Sequence, residues 1–178
     1  MGTCLLIASP QMKDPFFERT VVLVWHHDEN GAIGVVINRT LPHEMNDILL
    51  LSETSDIDAH PNSRVHWGGP VETGSGTAIT RAVIDEDEGW RITNGISVTR
   101  SESTLSRLLL AKEEIILCLG YAGWGPGQLD AEIASGGWLH TEASTELIFS
   151  HPEDDGYANA LKTLGVTPEL VWMHPISE

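Results

Sequence analysis

Short apolar runs alternate along the chain with polar segments that contain glycine, proline and acidic residues, a pattern typical of strands joined by turns. The apolar runs at 3–9, 20–25, 32–38 and 114–119 have the length of single strands and contain many β-branched residues. The run at 20–25 is apolar at nearly every position, so we expect that strand to be buried on both faces.

Two hairpins are predicted from this pattern. Asn30-Gly31 separates two apolar runs, and a type I′ turn needs the positive φ angles that asparagine and glycine tolerate. A two-residue loop there would place His27 opposite Gly34, where the ring could cover the missing side chain. A second hairpin is expected from 77–84 and 92–99, with the acidic residues 85–88 in a solvated turn.

Helical spacing or capping residues mark four further segments. These predicted helices lie at 42–51, after a capping serine at 101 or 103, at 127–134 and at 155–164. Gly165 follows the last of them at the position where a helix commonly ends in a left-handed residue. Shorter strands are predicted at 65–67, 138–139 and 147–149. Hairpins interspersed with single helices imply an α+β fold with a mixed, mostly antiparallel sheet, in a single domain over 1–178.

The chain is acidic, with 26 Asp and Glu against 10 Lys and Arg and a formal net charge of −16 among 178 residues. The basic residues are dispersed, whereas duplex binding requires several phosphates to be neutralised together. The charge therefore argues against direct DNA binding. No apolar run approaches the roughly 20 residues of a membrane span, and the first residues lack the basic region of a signal peptide. We expect a cytoplasmic protein with no membrane partner.

Cysteine and histidine give no sign of a metal site. Cys4 and Cys118 lie inside apolar runs, which predicts buried free thiols. The eight histidines are scattered, and His43-Glu44 lacks the second histidine of a zinc-protease motif. We expect neither a metal nor a cofactor.

A glycine-rich junction joins the run at 114–119 to the predicted helix at 127–134. Gly123, Trp124, Gly125 and Gly127 could cradle an anion ahead of a helix amino terminus. However, the segment lacks the lysine and hydroxyl residues of a phosphate loop, and acidic residues occupy the first turn of the helix. The plainer interpretation is a structural turn.

A second group of polar residues could hold a carboxylate or phosphate, with a histidine as proton carrier. This group comprises Asp14, Arg19, His27, Asn38 and Arg39, and the turn residues Gly68 and Gly69 are added as candidate ligand contacts. The plainer interpretation is structural: Asp14 caps a turn, Arg19 pairs with an acid, and Asn38 fixes a loop.

Several motifs resemble those of the bacterial YqgE/AlgH family. They are Leu5-Leu6-Ile7-Ala8-Ser9-Pro10, Asp14-Pro15-Phe16-Phe17-Glu18-Arg19-Thr20, residues 27–38, Gly68-Gly69-Pro70-Val71 and residues 120–138. The resemblance implies an α+β fold around a flattened, barrel-like sheet with peripheral helices. It also implies a cytosolic protein whose activity is unsettled and whose relatives carry a transcriptional-regulator label. Trp25 stands where relatives often have cysteine, so a thiol function at that position does not transfer.

Three classes of function follow. The first is a non-enzymatic regulatory or interaction module that binds a protein or a small molecule. The second is a nucleotide- or phosphoester-handling enzyme that uses the glycine loops with Arg19, His27, Asn38 and Arg39. The third is direct DNA recognition, which only the family label suggests. The absence of a complete catalytic set favours the module.

Overall fold

The computed structural model describes residues 3–50, 58–93, 95–150 and 155–166, without the side chains of 49 and 50. These residues form nine strands and five helices, so the α+β prediction is confirmed. The strands are β1 (Cys4–Ala8), β2 (Val21–Asp28), β3 (Gly31–Val36), β4 (Arg64–Trp67), β5 (Val71–Thr80), β6 (Trp90–Thr93), β7 (Ile96–Thr99), β8 (Ile115–Trp124) and β9 (Trp138–Thr141). The helices are α1 (Met45–Leu50), α2 (Glu102–Leu110), α3 (Gln128–Ala134), α4 (Thr145–Ile148) and α5 (Gly156–Thr163).

The chain folds into two compact units. The first comprises Met1–Asn38 with Ala122–Glu178, as far as these are described, and the second comprises Arg39–Tyr121. The prediction of a single domain stays a prediction. None of the described helices combines the length and apolar composition that crossing a membrane requires.

In the first unit, antiparallel strands pair in the order β3, β2, β1, β9, and the last residues of β8 pair with the other edge of β3. Every residue of β1 is buried, as are the first five residues of β2. This burial on both faces agrees with their continuous apolar sequence. The phenol of Tyr157 on α5 donates a 2.8 Å hydrogen bond to the Ala8 carbonyl and so attaches the helix to β1.

The second unit contains the parallel element of the mixed sheet. β4 pairs in parallel with β8, while β5 pairs antiparallel with both β8 and β7, and β6 pairs with β7. Helix α2 begins after Ser101, whose hydroxyl accepts a hydrogen bond from the Thr104 N–H, as predicted for a capping serine. Leu108 and Leu109 on this helix are buried in a core cluster with Ile115 of β8.

The first hairpin is confirmed, but its turn lies one residue earlier than predicted. Asp28 pairs with Gly31 and His27 pairs with Ala32, so His27 does not face Gly34. Of the two predicted turn residues, only Gly31 has a positive φ. The Asp28 carboxylate accepts a 2.8 Å hydrogen bond from the Asn30 N–H, and this local bond stabilises the observed turn. The turn residues are therefore Glu29 and Asn30 rather than Asn30 and Gly31.

The second hairpin prediction is wrong in its strand limits. β5 begins at Val71 rather than 77 and pairs with β7, but the predicted strand 92–99 is broken where Gly95 has a φ of +84°. The chain reverses there, and β6 folds back on β7. Glycine supplies this left-handed turn without steric cost. Apolar residues on both sides of Gly95 make 92–99 look like one continuous strand in the sequence.

Three other boundaries differ from prediction. The predicted strand at 147–149 is mostly helix α4, because the Ser144 hydroxyl accepts from the Leu147 N–H and caps a helical turn. Helix α1 starts at Met45 rather than 42. Strand β8 continues through the glycines at 120 and 123 to Trp124, so most of the predicted junction is strand rather than loop. The polar stretch at 52–63, for which the sequence predicts a loop, falls partly outside the described residues.

Candidate functional site

Asn38 ties two segments of the first unit together through both polar atoms of its side chain. Its Oδ1 accepts a 2.8 Å hydrogen bond from the Val21 N–H, and its Nδ2 donates a 2.9 Å hydrogen bond to the Arg19 carbonyl. Arg19 has a left-handed backbone with a φ of 56°. Its guanidinium lies 4.8 Å from the centroid of the Tyr157 ring and 3.6 Å from Asp155 Oδ2. These contacts match the structural interpretation of Arg19 and Asn38.

His27 is the most buried of the predicted polar residues in the first unit. Its side chain is 4% exposed, and its Nε2 lies 3.4 Å from Asp130 Oδ1 near the start of α3. Within the described residues, its Nδ1 has no hydrogen-bond partner. His26, the preceding residue on β2, is 54% exposed. The two neighbouring rings therefore point to different faces, as strand geometry requires, and do not share one ion.

Three aromatic rings form a cluster beside α3. The Trp124 and Trp138 centroids lie 6.1 Å apart with nearly perpendicular planes, and Phe17 packs at 6.4 and 5.8 Å from them. Perpendicular contacts at these distances stabilise packed rings. Because Trp124 is 7% exposed and Trp138 is 2% exposed, these faces are not open for a base to stack on.

Glu132 of α3 lies against this cluster. Burial raises the pKa of its carboxyl and the Asp14 charge adds to that effect, while Trp138, Gln128 and Trp124 favour the charged form. Even so, Glu132 Oε2 and Trp138 Nε1 are buried without a well-aligned hydrogen-bond partner in the described part of the chain. The sequence did not single out this carboxyl as a site residue. The available sequence signal is helical spacing, because Glu132 follows the buried Leu129 by three residues on α3.

The turn residues of the first unit make local contacts. Asp14 Oδ1 accepts a 2.8 Å hydrogen bond from the Phe16 N–H, as expected of a turn cap. Gly123 lies in β8 opposite Ile33 of β3. The Gly125 N–H donates to Gln128 Oε1, and Gly127 precedes α3 with a φ of 72°. Because α3 is only seven residues long, it offers a weak anchor for an anion.

Arg39, Gly68 and Gly69 belong to the second unit. The Arg39 guanidinium lies 5.1 Å from the centroid of the Trp67 ring, and its carbonyl accepts from the Trp67 N–H. A Cβ on Gly68 would lie 2.4 Å from the Gly120 carbonyl oxygen. These glycines therefore allow the segment after β4 to approach the β8 backbone closely. Ligand binding by the predicted site residues stays a prediction.

A cavity of about 440 Å³ opens in the second unit beside β5, and we call it the β5 groove. Gly76 and Ala78 lie two residues apart in the regularly paired part of β5 and so share one face of the sheet. Together with Gly74, their minimal side chains leave the space open. In the sheet, Gly76 pairs with Leu119 and Ala78 pairs with Leu117, so both leucines border the same space. The other lining residues are Ile48, Ser75, Thr99, Arg100, Ser101, Glu102 and Leu105.

Arg100 supplies the positive charge of the β5 groove. Its guanidinium lies 5.0 Å from the centroid of the Tyr121 ring, and its Nη2 donates a 3.3 Å hydrogen bond to Ser75 Oγ. The contact from Nη2 to Glu72 Oε2 is 3.9 Å, which is longer than a hydrogen bond. No sequence motif marks this site, because the groove depends on which strands lie next to β5.

The two cysteines lie in strands, Cys4 in β1 and Cys118 in β8. Cys4 and Cys118 are buried free thiols, as predicted. Burial raises the pKa of Cys118 to about 12, and it also raises that of Cys4. Among the described residues, no three His, Cys, Asp or Glu side chains are placed so that they could hold a metal ion.

Known proteins are similar to this chain over most of its length. A model of an AlgH-like family matches residues 5–169. A UPF0301 protein of Paracoccus denitrificans is 42% identical, with 94% of this chain and 91% of that protein covered. One from Ralstonia nicotianae is 37% identical, with 93% and 89% covered.

Solved structures agree with the sequence matches. The solution structure of the AlgH protein from Pseudomonas aeruginosa is 28% identical with a TM-score of 0.74, over 99% of this chain and 95% of that one. A Corynebacterium diphtheriae crystal structure is 20% identical with a TM-score of 0.76, over 91% and 86%, and shows the same fold. The chain therefore belongs to the AlgH-like family.

Proposed function

We propose that the protein is a non-enzymatic regulatory module of the cytoplasm that binds a small molecule in the β5 groove. The observation that carries the proposal is the groove itself, a concave space with an apolar floor and one arginine at its polar end. Pockets of this size with a few converging polar groups are the usual form of small-molecule sites.

The polar side chains of the groove support binding rather than chemistry. Its three hydroxyls make structural hydrogen bonds: Ser75 donates to the Glu72 carbonyl, Thr99 donates to the Glu88 carbonyl, and Ser101 accepts from the Thr104 N–H. Activation of a hydroxyl nucleophile requires an adjacent base. The described residues that line the groove include no histidine, lysine or cysteine. Glu102 is the one carboxylate among these lining residues, and it is exposed, so the described residues of the groove favour binding over nucleophilic catalysis.

The polar residues of the first unit also support a module. Asn38 uses both polar atoms on backbone groups, and Arg19 lies against Tyr157 and Asp155. A residue that holds the fold in this way has fewer groups left for a substrate. For these residues, too, the contacts favour a structural role over a catalytic one.

The proposal is tested by screening small-molecule fragments against the folded protein with amide NMR spectra. Hits are expected to shift amide signals from β5, β8 and the start of α2. Gly74→Leu should abolish these shifts, because a Cβ there meets nothing within 4 Å and the side chain would enter the groove without a backbone clash. Thr73→Leu adds the same side chain at an exposed neighbour that does not line the groove, and it should keep them.

Three outcomes would overturn the proposal. The first is a screen in which no fragment shifts these signals, or in which Gly74→Leu leaves the shifts intact. The second is a nucleotide that shifts the amides of 123–128 and is hydrolysed by the protein, which would establish the enzyme alternative. Salt-sensitive binding of a DNA duplex in a mobility-shift assay would establish the DNA-binding alternative.

A further inference from the structure

We infer that the ligand of the β5 groove is an amphipathic monoanion, with an apolar body and one carboxylate. This inference rests on the proposed function and names the chemical class that the groove selects. It depends on three features of the second unit: the apolar floor, the arrangement of Arg100, and the exposure of the neighbouring acids.

The floor of the groove suits an apolar body. Ala78 and Leu117 lie side by side in the sheet and are buried, so they form the base of the groove rather than its accessible surface. The accessible apolar surface comes from Leu119 of β8, Leu105 of α2 and Ile48 of α1, which line the groove and are only partly buried. Covering such surface with an apolar group is favourable in proportion to the area removed from water. The absence of side chains at Gly74 and Gly76 leaves room for that group.

Arg100 is arranged to receive an anion at the polar end. The Tyr121 ring lies 5.0 Å from its guanidinium, which restricts the orientation of the charged group. In the described residues, Ser75 Oγ is its one hydrogen-bond acceptor, at 3.3 Å. A guanidinium has several N–H donors in a fixed plane that matches a carboxylate. As far as the chain is described, the hydrogen bond to Ser75 leaves the other guanidinium donors to a ligand or to water.

The neighbouring acids do not reverse the preference for an anion. Glu72 is 64% exposed and its carboxylate lies 3.9 Å from Arg100, so water screens this pair. Glu102 lines the groove but is exposed. The Arg100 side chain is 30% exposed and therefore less hydrated than either acid. A ligand carboxylate that lies beside Arg100 gains a charge-assisted hydrogen bond, whereas a ligand amine would face a solvated carboxylate.

Three probes with one apolar body separate the alternatives: phenylbutyrate, its neutral amide phenylbutyramide, and the cation phenylbutylamine. Their affinities are measured by amide NMR titration at about 50 mM salt, where charge interactions are weakly screened. Phenylbutyrate is expected to bind about tenfold more tightly than phenylbutyramide, the usual size of a charge-assisted hydrogen bond. The amine is expected to bind no better than the amide.

Substitution assigns the preference to Arg100. Arg100→Gln should reduce phenylbutyrate affinity to that of the amide while leaving the amide affinity unchanged, and the amide spectrum reports that the variant is folded. Arg100→Lys keeps the charge without the flat donor plane and should give an intermediate affinity. Arg81→Gln removes one positive charge at a residue that does not line the groove, and it should leave the affinities of all three probes unchanged.

Each outcome decides the inference. Equal binding of the three probes would overturn the monoanion class and leave the groove as a ligand site. Preference for the amine, or an unchanged anion preference in Arg100→Gln, would also overturn it. Failure of all three probes to shift β5 signals would overturn the inference, and the fragment screen then decides the proposed function separately.

Discussion

Asn38 and Val21 are joined by a side-chain to backbone hydrogen bond of 2.8 Å. Removal of the Asn38 amide takes an acceptor from the Val21 N–H and a donor from the Arg19 carbonyl, because the same side chain bonds both. We therefore predict that Asn38→Ala lowers the free energy of unfolding by about 1–3 kcal/mol, as for loss of a buried polar partner. Urea unfolding measures the change. Asn159→Ala on the exposed face of α5 is the control and should stay within about 0.5 kcal/mol.

Gly120 is predicted to be far more sensitive to alanine than Gly127. Both residues have left-handed backbones, with φ of 79° and 72°. A Cβ at Gly120 would lie 2.2 Å from the Gly69 carbonyl oxygen, whereas at Gly127 it would meet nothing within 4 Å. Gly127→Ala should cost about 1–2 kcal/mol, the backbone penalty alone. Gly120→Ala should cost more, because the sheet must also move. Equal losses of unfolding free energy for the two variants, measured with urea, would show that the sheet accommodates a Cβ at Gly120 at little cost.

Glu88 should stabilise the protein more at neutral than at acidic pH. The Asp85 N–H and the Arg107 guanidinium both bond its carboxylate, the latter at 2.7 Å, and they lower its pKa. A carboxyl whose pKa is lower in the folded state contributes stability above its unfolded pKa, about 4.3, and loses it as pH falls through the folded value. Glu88→Gln should therefore lower the urea midpoint at pH 7, and the difference should vanish in strong acid. A pH-independent difference would contradict this prediction.

Glu132 should show the opposite pH dependence. Burial raises its pKa, so the folded state holds the proton more tightly than the unfolded state does. Its stabilising effect is then present at low pH and is lost as pH rises through the folded pKa. Glu132→Gln, which carries no charge to bury, should raise the urea midpoint at pH 7 and leave it unchanged in acid. A lower midpoint at pH 7 would show that the indole contacts outweigh burial.

Both thiols should resist chemical modification in the folded protein. The pKa of Cys118 is raised to about 12 by burial, and that of Cys4 is also raised. Because the thiolate is the reactive form, dithiobis-nitrobenzoate at about pH 8 should not label the native chain. In denaturant both thiols should react completely. Rapid labelling of folded protein would show that local opening exposes them.

The sequence predicted element type best where local bonds determine the structure. Ser101 capped α2, and Gly165 followed the last helix with a φ of 72°, as expected. Predictions failed where a side-chain hydrogen bond competed with a turn or strand pattern in the same segment. The Asp28 to Asn30 bond moved the first hairpin turn, and the Ser144 cap turned a predicted strand into α4. Residue propensities in the sequence do not show which of two competing local interactions is the stronger.

The groove could not be predicted for a different reason. The small residues Gly74, Gly76 and Ala78 alternate visibly in the sequence, yet alternation alone does not show what lies beside them. Pairing of β5 with β8 brings Leu117 and Leu119 to their side. Strand neighbours distant in sequence are fixed by the whole fold, and so the site is a tertiary property.

The β5 groove exists where side chains are missing rather than where special ones are present, so a substitution of one glycine can narrow it. At Gly74 a Cβ would meet no heavy atom within 4 Å, and a larger side chain therefore fits there without a backbone clash. Under the proposed function, such a change would remove ligand binding and leave the fold intact. Relatives of the same architecture would then differ in whether they bind the ligand.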